Sequence, residues 1–190
     1  MKVTETELPG VLLLEPRVFG DERGFLMETF HAPRYEQFGI SGFVQENFSR
    51  SRKRTLRGLH FQEPRGQGKL IQVLAGEVYD VAVDVRRGSP TFAKWIGVHL
   101  SASSPRQLWV PPGFAHGFCV LSESADFLYR CTELYSPETE RAIAWNDPEL
   151  AIGWPVQAPL LSARDAAAPT LSNAPVLPVY GLSAVIARVR

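Results

Sequence analysis

The chain has 190 residues, with 20 basic against 20 acidic side chains and a formal net charge of zero. At 45% hydrophobic and 21% charged residues, it has the make-up of one soluble globular domain with a real core, and not that of a disordered chain. The balanced charge argues against bulk binding to nucleic acid or to an anionic membrane, and no apolar run reaches the length needed to cross a bilayer.

The opening, MKVTETELPG, mixes acids with a proline and does not read as a signal peptide. Short segments rich in Val, Ile, Leu and Phe follow, punctuated by glycine and proline. Strands are predicted at 11–16 and 25–30, then a short helix at 32–38. The pattern resumes with strands at 69–75 and 76–85, turning at Gly76. The second of these alternates cleanly: Tyr79, Val81, Val83 and Val85 fall on one face, and Asp80, Ala82 and Asp84 on the other. Further strands are predicted at 93–100, 107–110, 117–121 and 127–131, and a helical turn around Ser162–Asp165 with Ser162 or Asp165 as its cap. So many short strands at close spacing imply an all-β antiparallel sandwich or barrel. The 15 glycines and 15 prolines are spread along the chain, so residues 1–190 read as a single domain. From about 166 onwards a loosely attached tail is expected, with one late apolar segment at 182–189. Cys119 and Cys131 sit among apolar residues and read as reduced, buried thiols of a cytoplasmic protein, which excludes a disulfide framework.

Four histidines raise the question of a metal. A barrel metal site usually offers two histidines on alternate residues of one strand. In Arg57-Gly58-Leu59-His60-Phe61-Gln62 the second position is glutamine, a poor ligand for a transition metal, and His31, His99 and His116 stand apart. No metal is therefore expected. A metal-free role suits His60 better, since neutral imidazole is a competent general base near pH 7 once a carboxylate or carbonyl fixes its tautomer. Arg54, Arg57 and Lys69 lie close to it in sequence. The odd separation of Arg57 and His60 puts them on opposite faces of a strand unless Gly58 marks a bulge.

Beyond these local patterns, a set of motifs occurs in a specific order: Asp21-Glu22-Arg23-Gly24-Phe25 with Glu28; Gln45-Glu46-Asn47-Phe48-Ser49; Leu56 to Gln62 followed by Gly68-Lys69-Leu70; residues 76–86; Ser89-Pro90-Thr91-Phe92; residues 107–118; and Trp145-Asn146-Asp147-Pro148. From about Gly10 to Leu171 the chain resembles the dTDP-4-dehydrorhamnose 3,5-epimerases, often called RmlC. The resemblance implies a cupin-type jelly roll with a few short helices and an enzyme that needs no cofactor. The implied reaction is epimerisation at C3 and C5 of dTDP-4-dehydro-6-deoxy-D-glucose, in dTDP-L-rhamnose biosynthesis. It implies His60 as catalytic base, Asp165 as the carboxylate paired with it, Tyr129 as general acid and Lys69 against the ketone oxygen. Arg23, Glu28, Gln45, Asn47, Arg57, His116, Glu140 and Arg164 would contact the nucleotide-sugar, and Tyr135 would stack on the thymine. The chain departs from the family's usual pattern at Leu134-Tyr135, often a pair of tyrosines, and at Arg164, usually lysine. A cytoplasmic homodimer with exchanged N-terminal strands is implied, without nucleic acid or membrane as partner.

Each residue also has a plainer reading. Lys69 could be an edge-strand charge, Tyr129 and Tyr135 core aromatics, Arg23 a solvated turn residue, and Asp84 the partner of His60 in place of Asp165. Rival functions are a single-centre epimerase or isomerase on a related dTDP-4-keto sugar, a non-catalytic nucleotide-sugar-binding barrel, and a metal-dependent oxygenase. Deuterium counting, solvent exchange and elemental analysis respectively separate them from the leading reading.

Overall fold

Side chains of a strand point alternately to its two faces, so the composition of each face decides what that strand packs against. The computed structural model describes residues 1–181. In chain order these form β1 (Lys2–Glu5), β2 (Leu12–Glu15), β3 (Val18–Asp21), β4 (Gly24–Met27), α1 (Ala32–Glu36), β5 (Gln45–Arg52), β6 (Leu56–Gln62), β7 (Lys69–Ala75) and β8 (Glu77–Asp84). Then come β9 (Trp95–Ser101), β10 (Gln107–Val110), β11 (Phe114–Val120), β12 (Ser124–Cys131), β13 (Glu140–Ala142), α2 (Ala163–Ala166) and a 3-10 turn at Leu171–Asn173. One sheet has the order β1-β2-β10-β7-β12-β5 and the other β13-β6-β11-β8-β9, while β3 and β4 pair as a separate hairpin. The long-range order, all antiparallel, is that of a jelly roll.

Three apolar clusters hold these layers. Ile71, Val73, Leu108, Phe114, Phe118 and Phe127 belong to a cluster drawing on both sheets, and so fill the space between them. The predicted face of Tyr79, Val81, Val83 and Val85 packs outward, against Ile143, Leu150, Leu171, Ala174 and Leu177. On the outer face of the six-stranded sheet, Leu14, Leu70 and Trp109 are covered by Tyr35 of α1 and by Ile40. Each fully buried aliphatic or aromatic side chain contributes about 1.5–3 kcal/mol, so the outer clusters anchor the segments that cover them.

The C-terminal stretch departs from the expected loose tail. Leu171 is buried and its N–H donates to Asp147 Oδ2 at 2.6 Å. Further on, Arg87 and Val179 form a parallel bridge, with Tyr180 N donating to Arg87 O at 2.9 Å. The segment packs because Leu171, Ala174 and Leu177 recur every third residue and bury together. The apolar segment expected at 182–189 lies outside the described residues. Strands β1, β3, β5, β6 and β13 lie outside the predicted set. Strand β5 is polar on both faces, and a strand without an apolar face leaves no alternation to read. Lys69 is not an edge charge, because β7 lies between β10 and β12.

Candidate active site

Strand register builds one wall of a cavity in rows. On the inner face of the six-stranded sheet, Gln45, Cys131 and Lys69 are cross-strand partners; Asn47, Tyr129 and Ile71 form the next row, and Ser49, Phe127 and Val73 the third. The opposing sheet answers with Glu140 beside Gln62, then Ala142, His60, His116 and Ala82, then Arg57, Phe118 and Asp80.

The second wall depends on a bulge. Between His116 and Phe118 the pairing of β11 shifts by one residue relative to β6, so His116 opposes His60 while Phe118 opposes Arg57. The extra residue brings Arg57 and His60 to the same cavity despite their odd separation. Gly58 permits this: its φ is +125°, and a Cβ there would sit 2.5 Å from Gly117 Cα.

His60 Nε2 lies 2.6 Å from Asp165 Oδ1. Ser162 caps α2, donating from Oγ to Asp165 Oδ2 at 2.8 Å and accepting from Asp165 N at 3.1 Å. Burial alone would raise the Asp165 pKa, but hydrogen bonds from His60, Ser162 and the Gly58 backbone hold it below the ordinary carboxylate value. With Nε2 committed to this carboxylate, Nδ1 is the ring nitrogen left to exchange a proton with a bound molecule. Asp84, the alternative partner, is occupied elsewhere. It accepts from Arg86 Nε and Nη2 at 2.8 Å each, and from Ser89 and Thr91 at 2.5 and 2.7 Å.

Arg57, Lys69, His116, Tyr129 and Arg164 line this cavity together with the His60–Asp165 pair. Burial lowers the Lys69 pKa, offset in part by Cys131 and Glu140. Burial raises that of Tyr129, which keeps the phenol protonated and able to donate. An adjoining cavity shares His60, Lys69 and Tyr129 and adds Gln45, Asn47, Tyr135 and Glu140. There Tyr135 donates from its hydroxyl to Glu140 Oε2 at 2.8 Å and from its N–H to Gln45 Oε1 at 2.8 Å, and Arg164 pairs with Glu140. Arg23 and Glu28 are not brought to either cavity. Arg23 pairs with Asp21 at the turn between β3 and β4, and Glu28 with Arg34, both at the surface.

Several residues of the site were given no site role in the sequence reading. Asp80 accepts from His116 Nε2 at 2.9 and 3.0 Å, making a second histidine–carboxylate pair beside the first. Its signal was an acid on the face of β8 opposite the valines. Gln62, in the place a second metal-binding histidine would take, instead donates to Leu134 O at 3.2 Å and accepts from Ser136 N at 3.0 Å, which fixes the loop bearing Tyr135. Ser49, Ser162, Phe118 and Phe127 also line the first cavity, and Gln67 the second. Among the described residues no group of three or more His, Cys, Asp or Glu side chains is placed to hold a metal ion.

The family model described as dTDP-4-dehydrorhamnose 3,5-epimerase matches residues 5–173. An enzyme of that name from Pseudomonas aeruginosa is 54% identical over 182 residues, covering 94% of this chain and 100% of the relative. The solved structure of the Legionella pneumophila RmlC, in complex with dTDP-4-keto-L-rhamnose, superposes with a TM-score of 0.91 at 54% identity, over 94% of this chain and 98% of that one. ChmJ, a 3'-monoepimerase from Streptomyces bikiniensis solved with dTDP-quinovose, is 37% identical with a TM-score of 0.88, over 92% of both chains. With a jelly roll, a histidine–aspartate pair facing a phenol across its interior, and a match over most of its length, the chain belongs to the dTDP-4-dehydrorhamnose 3,5-epimerase family.

Proposed function

We propose that the protein epimerises C3 and C5 of dTDP-4-dehydro-6-deoxy-D-glucose, giving dTDP-4-dehydro-L-rhamnose without a cofactor, as a step of dTDP-L-rhamnose biosynthesis. The observation that carries this reading is that His60, tied to Asp165, and Tyr129 line one cavity from opposite sheets, with Lys69 beside both.

The C4 ketone acidifies the hydrogens at C3 and C5. His60 Nδ1 takes the C5 proton, the C–H electron pair moves into the ring bond to C4, and the carbonyl pair moves onto oxygen. Lys69 stabilises that enolate, and a positioned donor of this kind lowers the barrier by roughly 3 kcal/mol. A positioned base contributes on the order of a hundred- to ten-thousand-fold, and Asp165 stabilises the imidazolium as it forms. Inversion requires the returning proton to reach the other face of C5. The Tyr129 hydroxyl delivers it, the enolate collapses to the ketone, and Tyr129 and His60 are reset by one proton gained and one lost to water. The arginines suit the diphosphate through their planar forks.

We further propose a cytoplasmic homodimer in which Arg23 and Glu28 serve the partner's site. Their distance from this chain's own cavities supports it, as do the exposed Phe19, Phe25 and Leu26 beside them on β3 and β4. Among the described residues no helix is long and apolar enough to cross a membrane. Likeness to the monoepimerase ChmJ favours one alternative, inversion at a single centre.

Product NMR in deuterated water tests both readings. Two deuterons in the product support the double epimerase, and one supports the alternative. The His60→Ala variant is expected to lose wash-in at both carbons, whereas Tyr129→Phe retains exchange at C5 without its inversion. Unchanged turnover in the histidine variant would overturn the mechanism.

A further inference from the structure

Phe118 and Phe127 are set apart from the rest of the cavity lining. Among the described residues they are its two wholly apolar side chains; the others offer hydroxyl, imidazole, ammonium, guanidinium or carboxylate groups. They come from opposite sheets, β11 and β12, and stack with ring centroids 4.0 Å apart and planes 12° from parallel. Phe127 also lies stacked against His116 at 6.1 Å and tilted against Tyr129 at 5.8 Å. The two rings therefore form one rigid apolar surface continuous with the proton-transfer groups.

The row order gives this surface a ligand. Lys69 occupies the first row, Tyr129 and His60 the second, and Phe127 and Phe118 the third. Resting on the functional reading above, a sugar with its C4 ketone at Lys69 and C5 between His60 and Tyr129 directs C6 towards the third row. We infer that Phe118 and Phe127 recognise the C6 methyl group and so select 6-deoxy sugars over their 6-hydroxy counterparts. The methyl is the one apolar substituent such a sugar carries. A hydroxyl in its place would be pressed against the stacked pair of phenyl rings, which offers it no hydrogen-bond partner. Inversion at C5 also swings this substituent from one side of the ring to the other. A flat apolar surface accepts both positions, whereas a hydrogen-bonding pocket would fix only one.

The test compares two inert ligands, dTDP-6-deoxy-D-glucose and dTDP-D-glucose, which differ by a single hydroxyl and carry no ketone. Calorimetric titration is expected to give tighter binding of the 6-deoxy ligand by about ten- to a hundredfold. In Phe118→Ser or Phe127→Ser that ratio falls towards one, with binding of dTDP alone showing that the variant is folded. Equal affinities in the unaltered protein would overturn the assignment without recourse to any variant. So would a ratio unchanged in both variants. A failure of the epimerase reading shows separately, as absence of deuterium wash-in with the 4-keto substrate, because neither titration depends on turnover.

Discussion

Two histidine–carboxylate pairs stand side by side on the same sheet, and they differ in what surrounds the acid. His60 and His116 are cross-strand partners, each bonded through Nε2. Asp165 receives hydrogen bonds from His60, Ser162 and the Gly58 backbone, and is held below its ordinary pKa. Among the described residues Asp80 has His116 alone, and burial pushes its pKa up despite that partner. The imidazoles differ too: the His60 side chain is 28% exposed, that of His116 only 8%. The same two residue types thus make one pair with a firmly ionised acid beside an accessible ring, and one with a reluctant acid beside a ring that is almost enclosed. The number of donors around the acid, more than the pairing itself, separates a group suited to repeated proton transfer from one suited to holding shape.

The largest expected effect of breaking this difference is at the first pair. Asp165→Asn removes the charge that stabilises imidazolium but leaves an amide able to pack in place. The turnover rate is expected to fall by on the order of a hundred- to ten-thousand-fold, with much less change in KM. A steady-state comparison checks it, and a variant within a few-fold of the parent would mean that Asp165 only packs. Asp80→Asn should cost far less in turnover, because it acts only by misplacing His116. Equal losses in the two variants would remove the functional distinction between the pairs.

A subunit-mixing experiment sharpens the comparison between residues inside the cavity and those far from it. If Arg23 completes the partner's site, His60→Ala and Arg23→Ala homodimers are both impaired. Mixed dimers formed by co-expression then recover up to half the parental activity per dimer. The Arg23→Ala chain keeps its His60 and receives Arg23 from its partner, so one site in each mixed dimer is whole. No recovery in purified mixed dimers would show that Arg23 does not complete the partner's site.

The residues explain how much of this was legible beforehand. Strand β8 was readable because its two faces differ: the valines pack outward under the C-terminal segment while Asp80 and Ala82 face inward. Strand β5 was not, because Asn47 and Ser49 face the cavity while Glu46, Phe48 and Arg50 lie at an exposed edge. The union of Arg57 with His60 hinged on a bulge that the sequence allowed at Gly58 without requiring it. His60 and Asp165 are separated by 105 positions, a distance no local periodicity spans, so only the motif resemblance linked them. Asp84 looked as good on spacing, and was excluded by four side-chain donors drawn from Arg86, Ser89 and Thr91. The C-terminal segment read as loose because small residues give a weak pattern, although Ala174 needs little area to seal the cluster beneath it.

The smallest effect is also the one with a sign that distinguishes the two acids. An acid whose pKa is depressed by folding contributes stability above its ordinary pKa, and that contribution is lost as pH falls through the depressed value. Asp165 is such a group. Asp165→Asn is therefore expected to be less stable than the parent near pH 7, by about 2 kcal/mol for the charge-assisted hydrogen bonds removed, with the gap closing as pH drops below the usual carboxylate range. Asp80 runs the other way. An acid whose pKa is raised by folding favours the native state below its ordinary pKa, and that advantage is lost as pH climbs through the raised value. Measured against its parent, Asp80→Asn should thus improve as pH climbs from the ordinary carboxylate value through the raised one, while Asp165→Asn keeps a constant deficit over that interval and recovers only as pH falls below the ordinary value. Urea denaturation at a series of pH values reads both trends. Parallel trends in the two variants would show that burial and donor count do not set the ionisation of these carboxylates, and the contrast between the pairs would fall with it.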